Sequence, residues 1–175
     1  MEQVRLIEGE SNDKIYIALS HRWNSNTALQ STTGANVGRR KEEIDLNSLS
    51  QTFQDAVTAT RKLGIQYLWI DSLCIVQDNN NEVTMECNRM ELIFSQAYSV
   101  IAATSGHSGH YGFLSRHGMD GRPFLLPNDE ENLHTRGWVF QERALARHTI
   151  HFATSQTYWE CEGSIIGESG RDDFV

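Results

Sequence analysis

The chain has 175 residues, 39% of them hydrophobic and 22% charged, with a formal net charge of -8. That length suits one domain with room for a real core, and the acidic balance excludes a binder of phosphate backbones, which needs a basic surplus to release counterions. No apolar run approaches the roughly 20 residues of a membrane-crossing helix, no secretory leader heads the sequence, and the three cysteines have no framework spacing, so a cytoplasmic protein with reduced thiols is expected.

Residues 1–14 are expected to form an N-terminal arm or edge strand around Val4-Arg5-Leu6-Ile7. Ile15-Tyr16-Ile17-Ala18-Leu19 is the first good strand, and it runs into Ser20-His21-Arg22-Trp23. Residues 24–45 carry Asn, Ser, Thr, glycines and a charge run, and are expected to be a long loop. Ser48-Leu49-Ser50-Gln51 has capping-box spacing. Phe53, Ala56, Val57, Thr60 and Leu63 then recur at helical spacing, and Gly64 supplies the stop. Tyr67-Leu68-Trp69-Ile70 is apolar at every position, as in a strand buried on both faces, and Asp71-Ser72 ends it. The order strand, helix, strand predicts a parallel pair with a right-handed crossover.

A helix is expected over about 82–97, with Met90, Ile93, Phe94 and Ala97 on one face. Ser99-Val100-Ile101-Ala102-Ala103-Thr104 is the third strand. Residues 105–135 hold glycines, histidines and the prolines Pro123 and Pro127. They read as a second long loop, with a short strand around Phe124-Leu125-Leu126. Arg136–Ala146 has helical spacing, with Trp138, Glu142 and Leu145 on one side. Thr149–Ala153 and Thr157–Cys161 alternate as the strands of a hairpin, with His151 expected on the outer face. Residues 162–175 are read as a C-terminal tail, which leaves 15–161 as the domain. The element order predicts a three-layer α/β fold with a mostly parallel central sheet and a C-terminal β-hairpin.

In such sheets ligands lie beyond the carboxyl ends of the strands. Ser20, His21, Arg22 and Trp23 would stand at one such end, and Asp71, Ser72 and Cys74 at another. The residues alone leave Asp71 open between a site acid and a turn cap. Glu142 stands among aromatics that raise a carboxyl pKa and arginines that lower it, and is open between a sugar-binding acid and a surface residue of an amphipathic helix. Cys74 is open between a thiol paired with a histidine and a small buried hydrophobe. His107, His110 and His117 with Cys87 or Cys161 lack paired metal-ligand spacing, so no metal site is expected. Gly34-Ala-Asn-Val-Gly38 lacks the Lys-Ser/Thr of a phosphate loop, and no Gly-x-Ser-x-Gly elbow exists.

Three blocks resemble the HET (heterokaryon incompatibility) domain of filamentous fungi. They are Tyr16–Trp23, then Thr52–Val57 through Trp69-Ile-Asp-Ser-Leu-Cys-Ile-Val-Gln-Asp78 to Ala103, and last Arg136-Gly-Trp-Val-Phe-Gln-Glu-Arg143 with Tyr158-Trp159-Glu160-Cys161. Ser20-His21-Arg22-Trp23-Asn24 departs from the Ser-Tyr-x-Trp-Gly usual in that family. The resemblance implies a role in regulated cell death, and a likeness to TIR domains and their flavodoxin-like fold. Some TIR domains cleave NAD at the nicotinamide–ribose bond with a Glu in Trp-x-x-x-Glu, a spacing that Trp138-Val-Phe-Gln-Glu142 matches. By that resemblance Glu142 would be catalytic. Ser20, His21, Arg22, Trp23, Asp71, Ser72, Cys74, Trp138 and Arg143 would bind substrate, and NAD would be substrate rather than cofactor. The same resemblance implies a homo-oligomer in the active state and an upstream sensor protein. It leaves open a non-catalytic, self-associating signalling module.

Overall fold

A computed structural model describes residues 3–9, 14–23, 25–103, 112–114, 145–153, 156–161 and 164–168. Its centre is β1 (Tyr16–Ser20). β1 pairs in parallel with β2 (Tyr67–Trp69) on one side and β3 (Ser99–Ala102) on the other. β4 (His148–Phe152) joins β3 in parallel; β5 (Thr157–Cys161) and β6 (Ser164–Gly167) then add antiparallel. The result is a 6-stranded mixed sheet of order β2-β1-β3-β4-β5-β6. The expected sheet was mostly parallel. Two of the five pairings are antiparallel: the expected hairpin, and a second because β6, expected in the tail, returns along β5. The expected hairpin is the β4–β5 pair, closed by the Ala153 N–H donating to the Gln156 carbonyl at 3.1 Å.

Alternation along β1 sends Ile17 and Leu19 to one face and Ala18 to the other. Ile17, Leu19 and Ile101 pack with Phe53, Ala56 and Ala59 of α3 (Gln51–Lys62). Ala18 and Val100 pack with Phe94 of α5 (Asn80–Gln96) and with Ala97. Helices therefore cover both faces. Phe53 and Ile17 are fully enclosed, and burying such a side chain contributes roughly 2–3 kcal/mol.

Ser50, not Ser48, caps α3: its side chain accepts from the Phe53 N–H. Ser48 closes a 3₁₀ turn at Leu46–Ser48 instead, its hydroxyl donating to the Asp45 carbonyl at 2.6 Å. Gly64, at φ 73, ends the helix as expected, in a left-handed conformation that suits glycine. β2 is the outer strand and its residues are only half-buried. The apolar run at 67–70 marks an edge strand, with Leu68 and Ile70 in the α3 cluster and Trp69 against Phe94 of α5, not an inner strand.

The expected loop at 24–45 contains α1 (Ser25–Leu29) and α2 (Val37–Glu42). α2 has no apolar periodicity; tertiary bonds hold it. Buried Arg40 donates to Thr32 Oγ1 at 2.7 Å and to the Gln30 carbonyl at 2.5 Å. The N-terminal arm joins here too, through a Val4–Ile44 bridge and a Leu6 N–H donating to the Arg40 carbonyl. The expected strand at 124–126 and helix at 136–146 lie outside the described residues, apart from the end of the latter at Leu145 and Ala146. Among the described residues, no helix is long and apolar enough to cross a membrane.

Candidate functional site at the carboxyl ends of the parallel strands

Where β2 ends, the chain turns at once into the single-turn helix α4 (Asp71–Cys74). Where β1 ends, it continues as His21-Arg22-Trp23. Parallel pairing brings these two strand ends side by side. The Trp23 indole N–H donates to Asp71 Oδ2 at 2.5 Å, and the Ser72 N–H donates to Asp71 Oδ1 at 2.6 Å. His21 Nδ1 lies 3.8 Å from Asp71 Oδ1, too long for a hydrogen bond. The His21 ring also meets Phe53 edge-on, with centroids 5.0 Å apart. Asp71 thus bonds both the backbone of its own turn and the Trp23 indole, with the His21 ring alongside.

The sequence readings fare differently by residue. His21, Trp23 and Asp71 come together. Ser20 is buried, and its carbonyl accepts from the Ala103 N–H at 3.0 Å, tying the ends of β1 and β3. Arg22 is exposed beside them. Ser72 is fully buried, and its Oγ has no hydrogen-bond partner among the described residues; its position is behind Asp71, away from solvent. Trp138, Glu142 and Arg143 lie outside the described residues, as do His107, His110 and His117.

Among the described residues, Cys74 has no histidine partner. The residue presents surface to solvent, while its sulfur is enclosed and accepts from the Ile70 N–H at 3.4 Å. Burial pushes this thiol up to about 11; the Ile70 N–H acts the other way, and the charges of Asp71 and Glu86 raise it further. The thiol that does meet an imidazole is Cys161: its Sγ is 3.1 Å from His148 Nδ1. His151, expected to face outward, is 2% exposed and bonds Glu160 Oε2 through Nε2 at 2.7 Å.

The reading from sequence missed what holds the site rigid. Thr32 is clamped to the segment after β2: its N–H donates to the Ser72 carbonyl at 2.8 Å, and its hydroxyl to the Leu73 carbonyl at 2.5 Å. The Thr32 carbonyl accepts from the Gln77 N–H at 2.8 Å, and the Gly34 N–H donates to Asp78 Oδ1 at 2.8 Å. The Gln77 side chain donates to the Asp71 and Ile75 carbonyls. The polar tail of the 69–78 string is therefore an anchoring device. A second anchor is Asp55, buried on α3, whose Oδ2 accepts from the Leu114 N–H at 2.8 Å. A Cβ at position 112 would collide with that carboxylate, so Gly112 permits the approach. An acid on the apolar side of a helix was the available signal.

The chain thus defines an α/β domain with aromatic, imidazole and carboxylate groups gathered at its strand ends. The heterokaryon incompatibility protein (HET) family model matches residues 16–124, and the chain belongs to that family. It is also similar to heterokaryon incompatibility protein 6, OR allele, of Neurospora crassa: 32% identical over 93 residues, or 49% of this chain and 14% of that relative. No solved structure matches the chain. Trp138 and Glu142 fall beyond the residues matched by the family model.

Proposed function

We propose that this domain is a cytoplasmic cell-death effector of fungal heterokaryon incompatibility, and that it hydrolyses NAD at the nicotinamide–ribose bond. The observation that carries the reading is the convergence of His21, Trp23 and Asp71 at the carboxyl ends of β1 and β2. That is where open α/β sheets bind nucleotides. The order β2-β1-β3-β4 agrees with the first four strands of the doubly wound order 2-1-3-4-5, which supports a flavodoxin-like, TIR-like arrangement. Family membership supports the biological role.

In this reading Trp23 offers a stacking face, Arg22 meets the pyrophosphate, and Asp71 with His21 fixes the wall between them. Glu142, from Trp138-Val-Phe-Gln-Glu142, holds the nicotinamide-side ribose and stabilises the oxocarbenium-like transition state. The nicotinamide ring nitrogen is cationic in NAD and neutral once it departs, so little acid catalysis is needed there. Water then attacks the ribose carbon. Incubating purified, oligomerised protein with NAD should release nicotinamide, and Glu142→Ala should reduce that release by on the order of a hundredfold or more. No release by the wild type, or equal release by the variant, overturns the reading.

A second reading, a non-catalytic self-associating module, is favoured by α5. Phe94 is its only buried residue, and Met85 and Leu92 are 53% and 54% exposed, an apolar stripe suited to assembly. Cell death that survives Glu142→Gln, together with a larger species in size-exclusion chromatography, would favour assembly over catalysis.

A further inference from the structure

At the opposite edge of the sheet, where the parallel strands begin, β4 and β5 place His148 and Cys161 directly across from each other. Direct cross-strand neighbours have Cβ atoms about 5 Å apart on one face, so the two side chains meet. His148 Nδ1 is 3.1 Å from Cys161 Sγ. Register and geometry agree, and neither depends on the strand-end site. The Ser99 hydroxyl donates to the His148 carbonyl at 3.3 Å, fixing the backbone under the imidazole. The Trp159 indole stacks on the same ring, with centroids 5.4 Å apart and planes 20° from parallel. An indole face favours a cation over a neutral ring. Cys161 is half-buried.

We propose that Cys161 and His148 form a nucleophilic thiol–imidazole pair, a site of covalent modification whose natural reagent class is the small hydroperoxide. The thiol proton passes from Sγ to His148 Nδ1, leaving a thiolate, the reactive form of cysteine. The sulfur attacks one peroxide oxygen; the S–O bond forms as the O–O bond breaks. The departing hydroxide takes the proton back from the imidazolium. The products are cysteine sulfenic acid and water, with sulfur oxidised by two electrons and the peroxide reduced by two. Sulfenic acid is the reversible first rung of thiol oxidation.

The three cysteines supply their own controls. Cys87 is exposed on α5, and Cys74 has the enclosed sulfur described above. Purified chain is treated with iodoacetamide near neutral pH, and each cysteine is followed by peptide mass spectrometry. A parallel sample receives hydrogen peroxide and then dimedone, which traps sulfenic acid. Cys161 is expected to alkylate on the order of tenfold faster than Cys87, to carry the dimedone adduct first, and to fall to the Cys87 rate in His148→Phe, which keeps a ring on Trp159 but removes the base. Cys74 remains slow in both proteins while the fold is intact. Wild-type Cys161 no faster than Cys87, or an unchanged Cys161 rate in His148→Phe, overturns the proposal. Should that variant open the fold, Cys74 labelling rises and the wild-type comparison alone decides.

Discussion

Asp71 shows how one side chain serves structure and site together. Its two oxygens are divided: Oδ1 takes the Ser72 N–H, and Oδ2 takes the Trp23 indole N–H. A carboxylate accepts at both oxygens, whereas an amide has one acceptor and one donor. Asp71→Asn must therefore set an NH₂ group against one of the two N–H donors. It should lower the unfolding free energy by about 1–3 kcal/mol in urea denaturation, with a red shift of tryptophan emission as Trp23 loosens. An unchanged midpoint and spectrum would mean that the bond between Trp23 and Asp71 carries no weight. Nothing in the spacing of residues 23 and 71 announces this pair. Only the parallel register of β1 on β2 brings them together, which is why the sequence leaves Asp71 open between cap and site acid while the fold bonds it to its own turn and to Trp23.

Elements were legible in proportion to how much of their order comes from their own periodic pattern. β1, α3, β3, α5 and the β4–β5 hairpin carry clear alternation or helical spacing, and they stand within a few residues of where the pattern puts them. α3 also tests the limits of cap reading, since two serines two residues apart compete for its start. The Ser50 side chain receives the Phe53 N–H, so Ser50→Ala should cost about 1 kcal/mol. Ser48 is exposed and its hydroxyl bonds within its own turn, so Ser48→Ala should stay within about 0.5 kcal/mol of wild type. Thermal unfolding of the two variants side by side decides which serine is the cap, and equal losses would count against the assignment. α2 and β6 were illegible because neither owns a pattern: α2 depends on Arg40 reaching Thr32 and Gln30, and β6 on the open edge of β5. β2 misled for the opposite reason. Its apolar run is real, but an edge strand packed beneath a helix produces the same run as an inner one.

On the scale of the whole molecule, the charge balance makes a demand on the proposed chemistry. A chain of net charge -8 repels a dinucleotide, whose pyrophosphate is anionic, so local cations must carry its capture. Arg22 is such a cation, exposed at the strand end that also holds Trp23 and Asp71. The two effects respond to salt in opposite ways. Screening, with a Debye length near 10 Å at 0.1 M salt, weakens the attraction of Arg22 and also relieves the general repulsion. Arg22→Ala leaves chiefly the repulsion. At low ionic strength the variant should bind NAD roughly tenfold more weakly than wild type, about 1.4 kcal/mol, and that gap should narrow as salt is added. Calorimetric titration at low and high salt provides the measurement. Equal affinities at low salt would remove Arg22 from the capture of NAD. A gap that ignores salt would mean that Arg22 acts by shape rather than by charge, and that the acidic surface of this domain is no obstacle to its ligand.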